Sequence, residues 1–255
     1  MGTYLDRILE WHRSQPRSEP TPSEIEAAAA LAPTRGFTAA LAGSDTLAVI
    51  AEIKRRSPSR GDLNAGLDPA GLAEVYEHHG ASCLSVLTDV EFFSGSVDDL
   101  RHARAAIGLP VLRKDFTVSA ADVVQTRMIG ADCVLLIAAA LSPDELQRFH
   151  RLACEIGLDV LVEIHDESEL EMALDVEATL VGVNQRDLVT FEVDHARAER
   201  MAALIPDDVV KVAESGVRDG RDASRLAAAG YDAVLVGESL VTATDVGAAL
   251  RALQV

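Results

Sequence analysis

From about residue 46 the chain keeps one rhythm. A short β-branched run is followed by polar residues, then by an Ala/Leu-rich segment with apolar positions at helical spacing, then by the next run. The runs fall at 47–53, 83–87, 111–113, 133–137, 160–163, 180–183, 209–213 and 233–236, and predict eight strands. Helices are predicted near 69–79, 97–107, 119–129, 142–156, 167–174, 195–204, 221–229 and 244–252. Gly80, Gly130, Gly157 and Gly230 each stand just before a strand, where glycine accepts the left-handed conformation that ends a helix. Asp68-Pro69 and Ser142-Pro143 mark helix starts, a capping side chain followed by proline at the first helical position.

Eight such units predict an α/β fold, a (β/α)8 TIM barrel occupying 46–255. An open doubly wound sheet uses the same units, but it usually carries G-x-G-x-x-G after its first strand, and this chain does not. Before the barrel, Leu5, Ile8, Leu9, Trp11 and His12 fit a short amphipathic helix and 23–32 a second. Residues 15–22, with three prolines, read as a loop between them. Residues 1–45 are too few to bury a core of their own, so they are expected to form a helical N-terminal extension packed on the barrel within one domain.

Composition narrows the partners. With 48% hydrophobic residues among 255, the chain can build a large core. Its formal net charge of −18 repels phosphate backbones and anionic surfaces, so neither nucleic acid nor membrane is expected as a partner. The longest apolar run, 133–141, falls far short of the roughly 20 residues of a membrane span. Asp6, Arg7 and Glu10 interrupt the N-terminal hydrophobics and leave no signal-peptide core, which predicts a cytoplasmic protein. Cys83, Cys133 and Cys154 are dispersed and are expected to be reduced, buried thiols. The histidines lack metal-ligand spacing, and no metal is expected.

A barrel of this kind builds its active site at the C-terminal ends of its strands. There the sequence places Glu52 and Lys54, then Lys114 and Phe116, Glu163, Asn184 and Arg186, Glu214, Ser215 and Gly216, and finally Gly237 and Glu238. Loops are polar in any protein, but that does not explain charges inside the strand pattern. Strand alternation puts Glu52 with Lys54, and Lys114 with Phe116, on common faces.

Of the 23 basic residues only Lys54, Lys114 and Lys211 are lysines, and all lie in or beside strands. A lysine ammonium can exchange a proton where a guanidinium cannot, so Lys54 and Lys114 are candidates for proton transfer or anion binding. Phe116 beside Lys114 predicts a partly desolvated amine with a lowered pKa. Lys211, three residues before Glu214, falls on the opposite strand face and reads as structural. Ser215-Gly216 and Gly237-Glu238, on the last two strand ends, offer backbone N–H groups where barrels often hold phosphate. Glu238 is expected to turn its backbone rather than its carboxylate to such a ligand.

These residues lie in a series of blocks: AEIKRRSPSRG (51–61), LSVLTDVEFFSGS (84–96), PVLRKDF (110–116), LVEIH (161–165), GVNQRDL (182–188), VAESGV (212–217) and VLVGESL (234–240). In content and order they resemble the indole-3-glycerol-phosphate synthases of tryptophan biosynthesis over essentially the whole chain. The main departure is Gln185, where many members have asparagine.

The resemblance implies a lyase that needs no cofactor. Its substrate would be 1-(2-carboxyphenylamino)-1-deoxyribulose 5-phosphate, converted to indole-3-glycerol phosphate with loss of carbon dioxide and water. Lys114, Glu163, Glu52, Lys54 and Asn184 would be catalytic. Lys114 would protonate the ketone oxygen, Lys54 would hold the carboxylate and share in dehydration, and Glu163 and Glu52 would serve as acid and base. Asn184 would bind a hydroxyl and Arg186 would fix a carboxylate such as Glu52. Phe93 and Phe116 would wall the aromatic ring, and Ser57 would close over the ligand. The remaining substrate-binding positions implied are Glu214, Ser215, Gly216, Leu235, Gly237 and Glu238. A monomer whose only expected partner is its phosphorylated small-molecule substrate follows.

Taken without the resemblance, the residues leave rivals open. A phosphoribosyl isomerase would share the cradle but usually rely on a carboxylate or cysteine pair. A Schiff-base aldolase could use Lys114. A barrel retained only for binding would have lost its strand-end charges.

Overall fold

Eight parallel strands close on themselves in chain order: β1 (Ala48–Ile53), β2 (Cys83–Leu87), β3 (Val111–Lys114), β4 (Cys133–Ile137), β5 (Asp159–Ile164), β6 (Leu180–Asn184), β7 (Val210–Glu214) and β8 (Ala233–Val236). In this computed structural model residues 3–58, 60–64, 66–187 and 192–255 are described, so Ser59 of the first block and Leu188 of the fifth lie outside the described residues. Closure runs through β1, which pairs with β8 (Ile50 opposite Leu235) and with β2 (Glu52 opposite Ser85). The fold is the expected (β/α)8 barrel with a short helical N-terminal extension.

Helices α4 (Pro69–His78), α5 (Val97–Ala106), α6 (Ala120–Met128), α7 (Pro143–Glu155), α8 (Glu167–Asp175), α9 (His195–Ala202) and α10 (Gly220–Ala228) alternate with the strands. Asp68 and Ser142 cap α4 and α7 ahead of proline, as their sequences predict. Gly80, Gly130, Gly157 and Gly230 adopt φ between +78° and +96°, the left-handed exit that turns each helix into its strand.

Inside the barrel, alternate strands share layers of side chains. Ile50, Leu112, Leu161 and Val212, from β1, β3, β5 and β7, are fully buried. Each such side chain contributes roughly 1.5–3 kcal/mol by leaving water. Two residues further along each strand the same inward face carries Glu52, Lys114, Glu163 and Glu214. The barrel thus changes from an apolar layer to a charged one within a single step of strand alternation.

The extension comprises α1 (Tyr4–Ser14), α2 (Pro22–Ala29) and α3 (Phe37–Ala42). It docks through polar pairs as well as apolar ones. His12, 5% exposed, places Nε2 2.9 Å from Asp89 Oδ2, Arg17 Nε donates to Asp122 at 2.7 Å, and Arg13 pairs with Glu145 at 2.8 Å. The Trp11 and His12 rings pack on Phe92 and Phe116, with centroids 5.9 and 5.3 Å apart.

Several expectations need correction. Pro22 opens α2 behind a Thr21 capping box instead of ending the loop, because a first-turn proline has no N–H to lose. The last predicted helix, 244–252, is found as α12 (Val246–Arg251), and an unpredicted short helix, α11 (Glu238–Val241), precedes it directly after β8. α3 escaped prediction because its six residues bury only Phe37 and Leu41 and give no sustained period. Arg56–Ser57 and Gly61–Asp62 form a small antiparallel hairpin after β1. Cys83 and Cys133 are buried free thiols, but Cys154 is exposed, since the buried stripe of α7 runs through Leu146, Phe149, Leu152 and Ala153 and leaves it outside.

Candidate active site

Every site residue expected from the sequence lines one cavity of about 410 Å³ at the C-terminal end of the barrel: Glu52, Lys54, Ser57, Phe93, Lys114, Phe116, Glu163, Asn184, Arg186, Glu214, Ser215, Gly216, Leu235, Gly237 and Glu238. The charged layer forms its floor. Lys114 Nζ lies 2.8 Å from Glu163 Oε2 and 3.3 Å from Glu214 Oε2, so one ammonium serves two carboxylates from strands β5 and β7. Lys54 and Glu52 form a separate pair at 2.7 Å, and the Ser85 hydroxyl donates to the other Glu52 oxygen at 3.3 Å.

The electrostatics of the floor follow from burial and charge count. Burial is the largest single influence on Lys114 and pulls its pKa down. Glu163, Glu214 and Glu52 together outweigh it and hold the amine well above its ordinary value. The lowered lysine pKa expected from Phe116 is therefore corrected: the shift is upward. An apolar wall does destabilise an ammonium, but two buried carboxylates within ion-pair distance stabilise it more.

The two carboxyls diverge. Burial works to raise Glu163, but Lys114 and His165 outweigh it, with Asn184 Nδ2 donating to Oε1 at 3.0 Å, and the group is held well below the usual carboxylate range. Glu214 is pushed up, first by burial and then by its neighbour Glu163, against the pull of Lys114. Its Oε1 is buried without a hydrogen-bond partner among the described residues. One carboxyl of the pair is thus held charged and the other is drawn toward its protonated form, a divergence common among acid/base groups.

Gly182 makes this packing possible. A Cβ there would collide with Glu214 Oε1 and sit 3.2 Å from a Leu161 methyl. Gly182 is not among the residues expected from the sequence, although glycine inside an apolar strand run signals close approach of another group.

Above the floor, Gln185 Nε2 donates to the Ser215 carbonyl at 2.8 Å and helps hold the turn in which Ser215 and Gly216 both take left-handed φ, +65° and +74°. A non-glycine residue in that region is strained, and such strain collects at functional sites. The departure at Gln185 thus retains a supporting role. Glu238 turns its carboxylate to Arg60, 2.9 Å away. Arg60, which also lines the cavity, was missed because nothing in a loop sequence says which strand end it will meet. A Cβ at Gly237 would strike Glu52 Oε1, so this glycine makes room for the floor as well as for any ligand.

The aromatic side is built from two chain segments. Asp89 Oδ1 accepts the Phe92 and Phe93 N–H groups at 2.6 and 2.9 Å and shapes the turn after β2. Phe93 and Phe116 then face each other with ring centroids 6.2 Å apart. Tyr4, Leu5 and Ile8 of α1 complete the wall, a contribution from the extension that the sequence reading did not foresee. Ser57 is held in the hairpin, its hydroxyl accepting the Arg60 N–H at 3.2 Å, rather than standing in an open loop. His12, Asp89 and Asp115 cluster beside this wall, and their acidic oxygens are engaged by His12, Thr88, Arg113 and backbone N–H groups. Lys211, as expected, lies away from the cavity and pairs with Asp207 at 3.5 Å.

A family model described as "Indole-3-glycerol phosphate synthase" matches residues 5–253. Proteins with that description from Chlorobium luteolum and Rhodopirellula baltica are 46% and 45% identical to this chain, over 95% and 98% of both sequences respectively. Among solved structures, a thiamine phosphate pyrophosphorylase from Pyrococcus furiosus superposes with a TM-score of 0.60 at 16% identity, covering 81% of this chain and 93% of that one, which shows a shared barrel fold.

Proposed function

The chain belongs to the indole-3-glycerol phosphate synthase family and is a lyase of that activity, and we propose that its charged floor divides the reaction between the two lysine sites. The reaction closes the pyrrole ring of 1-(2-carboxyphenylamino)-1-deoxyribulose 5-phosphate and releases carbon dioxide and water. The observation that carries the proposal is Lys114 Nζ held between Glu163 and Glu214, beneath a cavity whose other ammonium is already paired with Glu52.

In the first step the aryl carbon bearing the carboxylate attacks the ketone carbon, and the C=O π electrons move to oxygen. Lys114 donates its proton to that oxygen. A firmly held ammonium still serves, because a developing alkoxide is a far stronger base than an amine, and the charge also stabilises it electrostatically. Loss of carbon dioxide returns the electron pair to the ring. Dehydration then removes the hydroxyl as water, with Glu163 and Glu52 exchanging the protons. Asn184, whose Nδ2 donates to Glu163 and so orients it, holds a substrate hydroxyl in this reading.

Lys54 takes the substrate carboxylate, for which that anion must compete with Glu52. Arg186, a further cation on the cavity wall, supports the same anionic end. Phe93 and Phe116 bracket the aryl ring. The strained Ser215-Gly216 turn and the Gly237-Glu238 end, with Leu235 beneath, receive the phosphate, the Glu238 carboxylate being drawn off by Arg60.

No cofactor or metal enters this chemistry. We read 1–45 and 46–255 as extension and barrel of one domain, since α1 supplies part of the cavity wall. Among the described residues no helix is long and apolar enough to cross a membrane, and the free thiols suit a reducing cytoplasm. We take the protein as a monomer whose partner is its phosphorylated small-molecule substrate. The test is direct: purified protein is incubated with the carboxyphenylamino-deoxyribulose phosphate and indole fluorescence is followed. Product should accumulate without added metal or cofactor. No turnover by folded protein would refute the proposal.

A further inference from the structure

Glu163 has its two oxygens faced from different sides. Lys114 reaches Oε2, while Asn184 donates to Oε1. A third group stands behind Oε1. His165, in the bend just past the end of β5, places Nε2 3.9 Å from it. That nitrogen is buried and has no hydrogen-bond partner among the described residues. The opposite ring nitrogen, Nδ1, lies 3.1 Å from Glu169 Oε2, and the same oxygen accepts the His165 backbone N–H at 2.7 Å. The ring is therefore clamped by α8 with one nitrogen aimed at a catalytic carboxylate and left unsatisfied. A buried nitrogen in that state is costly unless the site uses it.

We propose that His165, oriented by Glu169, is a positioning residue that keeps Glu163 charged and in place while Lys114 has given up its proton. This rests on the assignment of Lys114 as proton donor. In the resting site Lys114 supplies the positive charge that Glu163 needs. Once the proton has moved to the substrate oxygen, the amine is neutral and a buried carboxylate would be left without a counter-charge. An imidazolium behind Oε1 supplies one, and no covalent step is required of it.

The groups facing His165 favour that form. Glu163 on β5 and Glu169 on α8 attract a proton to the ring, Asp166 at the head of α8 is also negative, and Arg197 on α9 opposes them. Burial works most strongly against the charged ring, yet the carboxylates prevail and its pKa lies above the ordinary value.

The test is the pH–rate profile of His165→Asn, which removes the charge, beside His165→Lys, which keeps one, and Glu169→Gln, which removes the clamp. An opposite charge at this range moves a carboxyl pKa by about one unit or more. The acidic limb of kcat should therefore shift upward by about one unit in His165→Asn, and kcat at neutral pH should fall about tenfold with KM within about twofold. Glu169→Gln should shift the limb in the same direction by less, and His165→Lys should restore it in part. A His165→Asn profile superimposable on the parent enzyme's, whatever its melting temperature, overturns the proposal. If His165→Asn does not fold, an unshifted limb in Glu169→Gln overturns it equally. Failure of the underlying assignment reads out elsewhere, as retained kcat in Lys114→Arg.

Discussion

The two ammonium groups in the cavity have opposite surroundings. Lys54, just past the end of β1, meets one carboxylate, Glu52, two residues back in the chain. Lys114 meets two, Glu163 and Glu214, brought from 49 and 100 residues away by closure of the barrel. The first is a local, balanced pair that an incoming anion can exchange. The second is an overloaded cation beside one carboxyl held charged and one pushed toward its protonated form. Charge balance suits anchoring, and imbalance suits proton transfer, because a carboxyl drawn toward its protonated form can return a proton to the amine once that amine has given its own to the substrate.

Lys114→Met should break the comparison most severely. It removes the donor and leaves two buried carboxyls facing each other, so kcat should drop by about 10²–10⁴-fold with a smaller change in KM. Steady-state kinetics on folded protein checks this; a fall in KM-limited rate alone would assign Lys114 to anchoring. Glu163→Gln keeps the volume and the Asn184 contact but cannot carry charge, and should cost about 10²-fold in kcat. Parent-like kcat would place the proton transfers on Glu52. Lys54→Met should show the other pattern, a rise of about tenfold in KM exceeding the loss in kcat, since an interaction made equally in ground and transition states is lost.

The smallest effect sharpens the contrast through stability. A carboxyl whose folded pKa is raised holds its proton longer in the native state than in the unfolded one. Native stability therefore declines as pH rises above the ordinary carboxylate range toward the raised value. Glu214→Gln has no proton to lose. Its melting temperature relative to the parent should improve by about 2–4 °C between about pH 5 and about pH 8, by differential scanning calorimetry. A constant difference across that range would mean that Glu214 titrates normally.

Much of this arrangement was legible in the sequence because strand alternation is local. The run ending Glu52-Ile53-Lys54 already puts both charges on one face, and the eight runs locate the strand ends within a residue or two. Helix starts at Asp68-Pro69 and Ser142-Pro143 were equally plain, since caps are short-range chemistry. What could not be read depends on closure. Nothing near Lys114 in the chain announces Glu163 or Glu214, so its pKa was assigned the wrong direction from Phe116 alone. Gly182 acquires meaning only once β5, β6 and β7 stand side by side, and Arg60 only once the closing of β1 on β8 brings it to Glu238. The docking of His12 on Asp89 likewise joins residues 77 apart.

The sharpest single discrimination between the two ammonium sites is the kcat of Lys114→Arg, measured by indole fluorescence on protein whose melting temperature matches the parent. Arginine preserves the positive charge between Glu163 and Glu214 but effectively never gives up a proton. If Lys114 is the proton donor, kcat falls by at least about 10²-fold. Near-full activity would show that fixed charge suffices at this position and would move the donor to Lys54.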